Sequence, residues 1–300
     1  MSSAHGSSSS RRLAFSGTWY SGDPELLAGE VDGMLASASE PAVPALAVVA
    51  PHAGLRYSGH VAAWSYRALG AAARDLIVLV GPSHHVQFPG CAILTRGALD
   101  TPWDPLPVAE READALGKAL TIPHEPHTQI HEQEHSLELQ LPFLARVQPG
   151  VPVLPILVGR QTRETAIALA DAIVDALGGV NLALVASSDL SHYLPATKAY
   201  AMDRLVLGAL DQADPDALLD VLDRDPHHAC GGGPMAAVLS AAKRLGATAG
   251  GVLRYADSGD VTGDKSSVVG YVSAAFSRPR GDRRARSVRC SPAALPPCAA

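Results

Sequence analysis

Long apolar runs are missing from this 300-residue chain, so no segment reads as a bilayer-crossing helix. Cysteine is scarce. The four present, Cys91, Cys230, Cys290 and Cys298, form no CxxC pair, which excludes the dense disulfide framework of small secreted domains. Runs of Lys and Arg are absent from the body of the chain, and the formal net charge is −6, so general nucleic-acid binding is not expected. The opening MSSAHGSSSSRR has no apolar h-region and reads as a flexible leader over 1–12, not as a signal peptide. Together these absences set the expectation of a cytoplasmic protein in a reducing setting with no membrane role.

What is present is core material. Hydrophobic residues make up 47% of the chain and charged residues 18%, enough for one large α/β unit over 13–277. The stretch 278–300 is rich in Arg, Pro and Ala without periodicity and is expected to be a disordered tail. Four short runs rich in Val, Ile and Leu read as buried strands: LAVVA (46–50), LIVLV (76–80), VLPILV (153–158) and LALVA (182–186). Helical patterns fall between and after them, near 58–70, 109–120, 134–146, 163–177, 198–211, 215–223 and 233–245. Two more strands, GVLRYA and VVGYVSAAF, close the unit. The alternation predicts an α/β fold with a mainly parallel central sheet and helices on both faces.

Three of the strands run directly into polar residues. LAVVA leads to Pro51-His52-Ala53-Gly54, LIVLV to Gly81-Pro82-Ser83-His84-His85, and LALVA to Ser187-Ser188-Asp189-Leu190-Ser191-His192. Carboxyl ends of parallel strands share one edge, where ligands bind. A single histidine there is commonly a turn residue, but three strand ends with the same feature point to a shared site. His84 and His85 are neighbours in extended chain, so one of the two is expected to face it. Cys230 precedes Gly231-Gly232-Gly233-Pro234 and a helical pattern, a place that suits either a packed small residue or a metal-binding thiolate.

His131-Glu132-x-x-His135 matches the HExxH pattern of zinc proteases. With Pro123 and Pro126 upstream and no third ligand at a convincing spacing, the match reads as accidental. Glu134, His135 and Glu138 then form a polar edge on an apolar helix, either solvated or part of a pocket wall; His135, Glu138 and His85 are the candidate substrate-pocket residues.

The ordered set of motifs resembles the Memo family, whose bacterial members are called AmmeMemoRadiSam system protein B. The resemblance is carried by GTWY (17–20), PHAG (51–54) with Tyr57-Ser58-Gly59, GPSHH (81–85), EHSLELQLPFL (134–144) and PILVG (155–159). It continues in SSDLSHY (187–193), Cys230-Gly231 and SGDVTGDKSSVVGY (258–271). The resemblance implies a LigB-like α/β sandwich, akin to class III extradiol dioxygenases, with a mononuclear non-haem metal site. It implies His52, His84 and Cys230 as ligands, with Asp189 and His192 as the acid–base pair beside them. Two imidazoles and a thiolate suit iron or copper first, and zinc as well, over magnesium or calcium. The dioxygenases have a carboxylate as third ligand where this chain offers Cys230, which argues against catechol ring cleavage as such. It also implies AMMECR1-like and radical SAM proteins as partners, with an unidentified small molecule or peptide as ligand. Metal-dependent redox chemistry is therefore the leading expectation, a non-catalytic peptide- or partner-binding module the alternative, and a Cys230–His192 hydrolase a third.

Overall fold

The structure, a computed structural model, describes residues 10–39, 43–125 and 128–279. Twelve strands occur among them: β1 Ser10–Arg11, β2 Ala47–Ala50, β3 Leu76–Pro82, β4 Cys91–Ile93, β5 Ala98–Leu99, β6 Leu106–Pro107, β7 His124–Glu125, β8 Val153–Val158, β9 Leu182–Ser187, β10 His192–Leu194, β11 Ala249–Asp257 and β12 Val268–Ser277. Nine of them form one sheet in the order β10-β12-β2-β9-β3-β8-β4-β7, with β11 paired to β12 outside this row. The four central strands β2-β9-β3-β8 are parallel to one another, the expected arrangement, and antiparallel pairs flank them on both sides. The remaining three strands make a small separate sheet, β1-β5-β6.

The central strands are continuous apolar runs because helices cover both faces, and side chains alternate between them. Val48, Ala50, Ile77 and Leu79 pack with helices Pro24–Ser37, Leu55–Gly70 and Leu141–Val147 on one face. Ala47, Val49, Val78 and Val80 pack with Arg163–Leu177, Ala196–Asp211 and Gly232–Arg244 on the other. Local chemistry fixes helix starts. Thr162 accepts a hydrogen bond from the Thr165 amide, and Asp214 from the amides of Asp216 and Ala217 ahead of a Pro at the first position.

Two sequence expectations are corrected. The leader expected over 1–12 gives way to structure by residue 10, since β1 pairs with β5 and the Arg11 side chain is buried against Glu138; residues 1–9 lie outside the described residues, as does the expected tail from 280 onward. The helix expected over 134–146 is two short helices, His135–Glu138 and Leu141–Val147. Pro142 lacks the N–H that a continuous helix would need at that turn, so the chain restarts there. Among the described residues, no helix is long and apolar enough to cross a membrane, and Cys91 and Cys230 are free thiols. Cys290 and Cys298 lie outside those residues.

Candidate metal centre

Strand order brings the polar strand ends together. β9 lies between β2 and β3, so Asp189 emerges between His52 and His84 at one edge of the sheet. His135 arrives from the short helix that Glu134 caps, where the Glu134 carboxylate accepts from the Ser136 amide. One nitrogen from each of His52, His84 and His135 falls within 4.8 Å of the others. The His84 and His135 rings stack at 4.3 Å, while His52 meets both edge-on at 5.2 and 5.3 Å. The cluster opens into a cavity of about 860 Å³ that is also lined by Asp189, His192, Trp19, Arg56, Tyr57, Tyr193 and Tyr271.

Burial sets the protonation states. It pushes the His52 imidazole well below its usual range, with His84 adding to the effect, and brings His135 down to about 4. Both rings are thus neutral near pH 7, the form that offers a lone pair to a metal. Glu134 is buried, which raises a carboxyl. The hydrogen bond and charge of His84, with the amides of His84 and Ser136, outweigh that and hold it near 2. Its Oε1 lies 2.8 Å from His84 Nδ1 and its Oε2 accepts from the His84 amide, so His84 presents Nε2 outward.

Cys230 stands on the other side of His52. Its Sγ is 3.2 Å from His52 Nε2 and accepts from the Asp189 amide at 3.3 Å. Gly231 makes this approach possible, since a Cβ there would collide with the Ser187 carbonyl oxygen. Burial and the nearby Asp189 carboxyl push the Cys230 thiol up, so without a metal it stays protonated. Asp189 itself is pushed up to about 7 by burial, against the amides of His52 and Ala53 that hydrogen-bond to it. His192, lowered by burial, lines the same cavity.

Of the eight residues singled out from the sequence, His52, His84, His135, Asp189 and His192 line one cavity, and Cys230 touches His52. His85 is not part of that lining, although its ring meets His135 edge-on with centroids 6.0 Å apart. Glu138 is not a pocket wall. It is fully buried and accepts from Arg11 Nη1, the amides of Ala14 and Phe15, and the Tyr20 hydroxyl. The HExxH match dissolves, because His131 belongs to the helix Thr128–Glu132 and His135 to the next one. Sequence reasoning gave no role to Trp19, Arg56, Tyr193 or Tyr271. Trp19 packs against the cluster, its ring centroid 4.7 Å from that of His135. GTWY and Tyr57 were visible as motif residues, but nothing in a run of sequence places them opposite strand ends far downstream.

A family model described as Memo-like protein matches residues 11–275. The chain belongs to the Memo-like family. A MEMO1 family protein of Methanopyrus kandleri is 34% identical over 281 residues, covering 89% of this chain and 99% of its own. Another from Methanothermobacter thermautotrophicus is 35% identical over 272 residues, covering 87% and 98%. A MEMO1 family protein of Methanosarcina acetivorans is 39% identical over 229 residues, covering 75% and 83%. An uncharacterized protein of Escherichia coli K12 superposes with a TM-score of 0.49 at 18% identity, covering 76% of this Memo-like chain and 98% of the other.

Proposed function

We propose that this Memo-like protein holds a single redox-active metal ion, iron or copper, and uses it on an organic substrate admitted to the cavity. The observation that carries the reading is the convergence of three imidazoles in one cavity wall, two of them held neutral, with the Cys230 thiol against the His52 ring. His52, His84 and His135 would hold the ion, with Cys230, 3.2 Å from His52 Nε2, as the further donor that the family resemblance implies; imidazoles and a thiol suit iron, copper or zinc and not magnesium or calcium. A bound iron or copper would supply electron transfer and a Lewis acid. The chain's own residues do the rest. Asp189, pushed up to about 7 by burial and so able to hold a proton near neutrality, and His192, lowered by burial and so neutral, stand in the cavity wall as proton donor and acceptor. The Asp189 carboxyl hydrogen-bonds to the His52 and Ala53 amides and so also ties the acid–base group to the metal-bearing turn.

Elemental analysis of protein purified without a metal-affinity tag tests this. Wild-type protein should carry stoichiometric iron or copper, and a His52→Ala, His84→Ala double variant should carry none. Equal metal in the two would overturn the reading. The exposed Trp19 and Tyr193 at the cavity mouth favour a second reading, a peptide- or partner-binding module. Partner capture that survives complete metal stripping, with no turnover of oxidants, would select it.

A further inference from the structure

Behind His52 runs a fully buried chain of polar side chains that the reaction does not use. His52 Nδ1 lies 2.8 Å from Ser187 Oγ. The same oxygen lies 2.6 Å from the Ser136 carbonyl and 2.8 Å from Gln140 Nε2. Gln140 Nε2 is also 3.0 Å from the Pro51 carbonyl, and Gln140 Oε1 is 2.7 Å from the Tyr66 hydroxyl. Tyr66, Ser136, Gln140 and Ser187 have no solvent exposure.

Proton counting gives one arrangement. A carbonyl oxygen only accepts, so the Pro51 oxygen must face the Gln140 NH₂ group, which leaves Oε1 to accept from Tyr66. The second amide proton then goes to Ser187 Oγ. Ser187 has a single hydroxyl proton, and the Ser136 carbonyl can take part only as its acceptor. With that proton committed, Ser187 Oγ can only accept from His52, so the imidazole proton sits on Nδ1. Any other placement leaves a buried polar group unpaired, which is costly.

We propose that Ser187 is a positioning residue for the metal centre. Oriented by Gln140 and Tyr66 and donating to Ser136, it holds His52 as the Nδ1–H tautomer, with the Nε2 lone pair aimed at Cys230 and the cavity. The consequence for metal binding rests on the metal reading above, whereas the tautomer is a property of the metal-free chain. Ser187 thus does for His52 what the Glu134 carboxylate does for His84: it occupies one ring nitrogen so that the other is available.

The test combines two measurements on the full-length chain after chelation. Long-range ¹H–¹⁵N correlation on ¹⁵N-histidine protein reads the His52 tautomer, and zinc titration reads affinity. Wild-type His52 should carry its proton on Nδ1. Ser187→Ala should lose that preference and bind zinc about 10–100-fold more weakly. A wild-type His52 with a proton on Nε2 and a bare Nδ1 would overturn the proposal without any variant, so it stays testable even where Ser187→Ala fails to fold. A folded Ser187→Ala with unchanged tautomer and unchanged zinc affinity would also overturn it. If the wild-type tautomer is as stated and lost in Ser187→Ala, yet neither protein binds zinc, Ser187 keeps its role and the metal reading falls.

Discussion

Glu138 illustrates how a buried charge can serve a site without facing it. Its carboxylate gathers Arg11, two main-chain amides and the Tyr20 hydroxyl, and Arg11 in turn donates to the carbonyls of His131 and Glu134. This knot joins the segment carrying Trp19 to the helix carrying His135. Glu138→Ala leaves the Arg11 guanidinium buried and unpaired, so unfolding in denaturant should show a loss of about 3–5 kcal/mol. Trp19 emission should shift as the segment loosens; an unchanged midpoint and spectrum would refute the assignment. Glu134 makes a separate prediction in pH. A carboxyl held near 2 in the folded chain against an ordinary value of 4.5 stabilises fully above 4.5 and loses that stabilisation as the pH falls through about 2. The difference in stability between wild type and Glu134→Gln should therefore shrink across that acid window and be flat above it. Residues of this kind were half visible beforehand. The histidines and Asp189 stood out because they follow strands, whereas Glu138 looked like a pocket wall. Its partners Arg11 and Tyr20 lie more than a hundred residues away in sequence, and no local pattern announces them.

Strands and helices were legible where burial writes itself into composition. VLPILV is β8 to the residue, and the helix over 163–177 is the one expected. Elements with weak periodicity escaped notice. The helix Pro24–Ser37 carries two glycines, and β10 is only three residues long with Tyr193 at a positive φ of 60°. Such a short, irregular strand has no alternation to detect, yet it carries His192 into the cavity. Glycines give a paired test at this scale. Gly231 faces main chain, so Gly231→Ala should force the turn after Cys230 apart, lower the melting temperature and weaken zinc binding. Gly208, inside the helix Ala196–Asp211, has open space where a Cβ would sit, with no atom within 4 Å, so Gly208→Ala should stabilise by about 0.5–1 kcal/mol. Melting curves that move both variants in the same direction would contradict the contrast.

Across the whole molecule, His52, His84 and His135 come from widely separated parts of the sequence, so an ion held by them would tie the fold together. A ligand that binds only the folded chain stabilises it by about 2.7 kcal/mol at a hundred times its dissociation constant. Thermal melts with zinc should rise in the wild type and stay flat in the His52→Ala, His84→Ala variant; an equal rise in both would place the ion elsewhere. One further consequence follows from β12. This single strand pairs with β10, β11 and β2, and at Gly270 it grips Leu190 and Ser191 next to Asp189. It is also the last of the strands among the described residues to be synthesised. A ribosome adding about 5–20 residues per second delivers His52, His84, His135, Asp189, His192 and Cys230 before the strand that braces the Asp189–His192 loop exists. These side chains stand on a growing chain without that brace, which can pair only once β12 has been made.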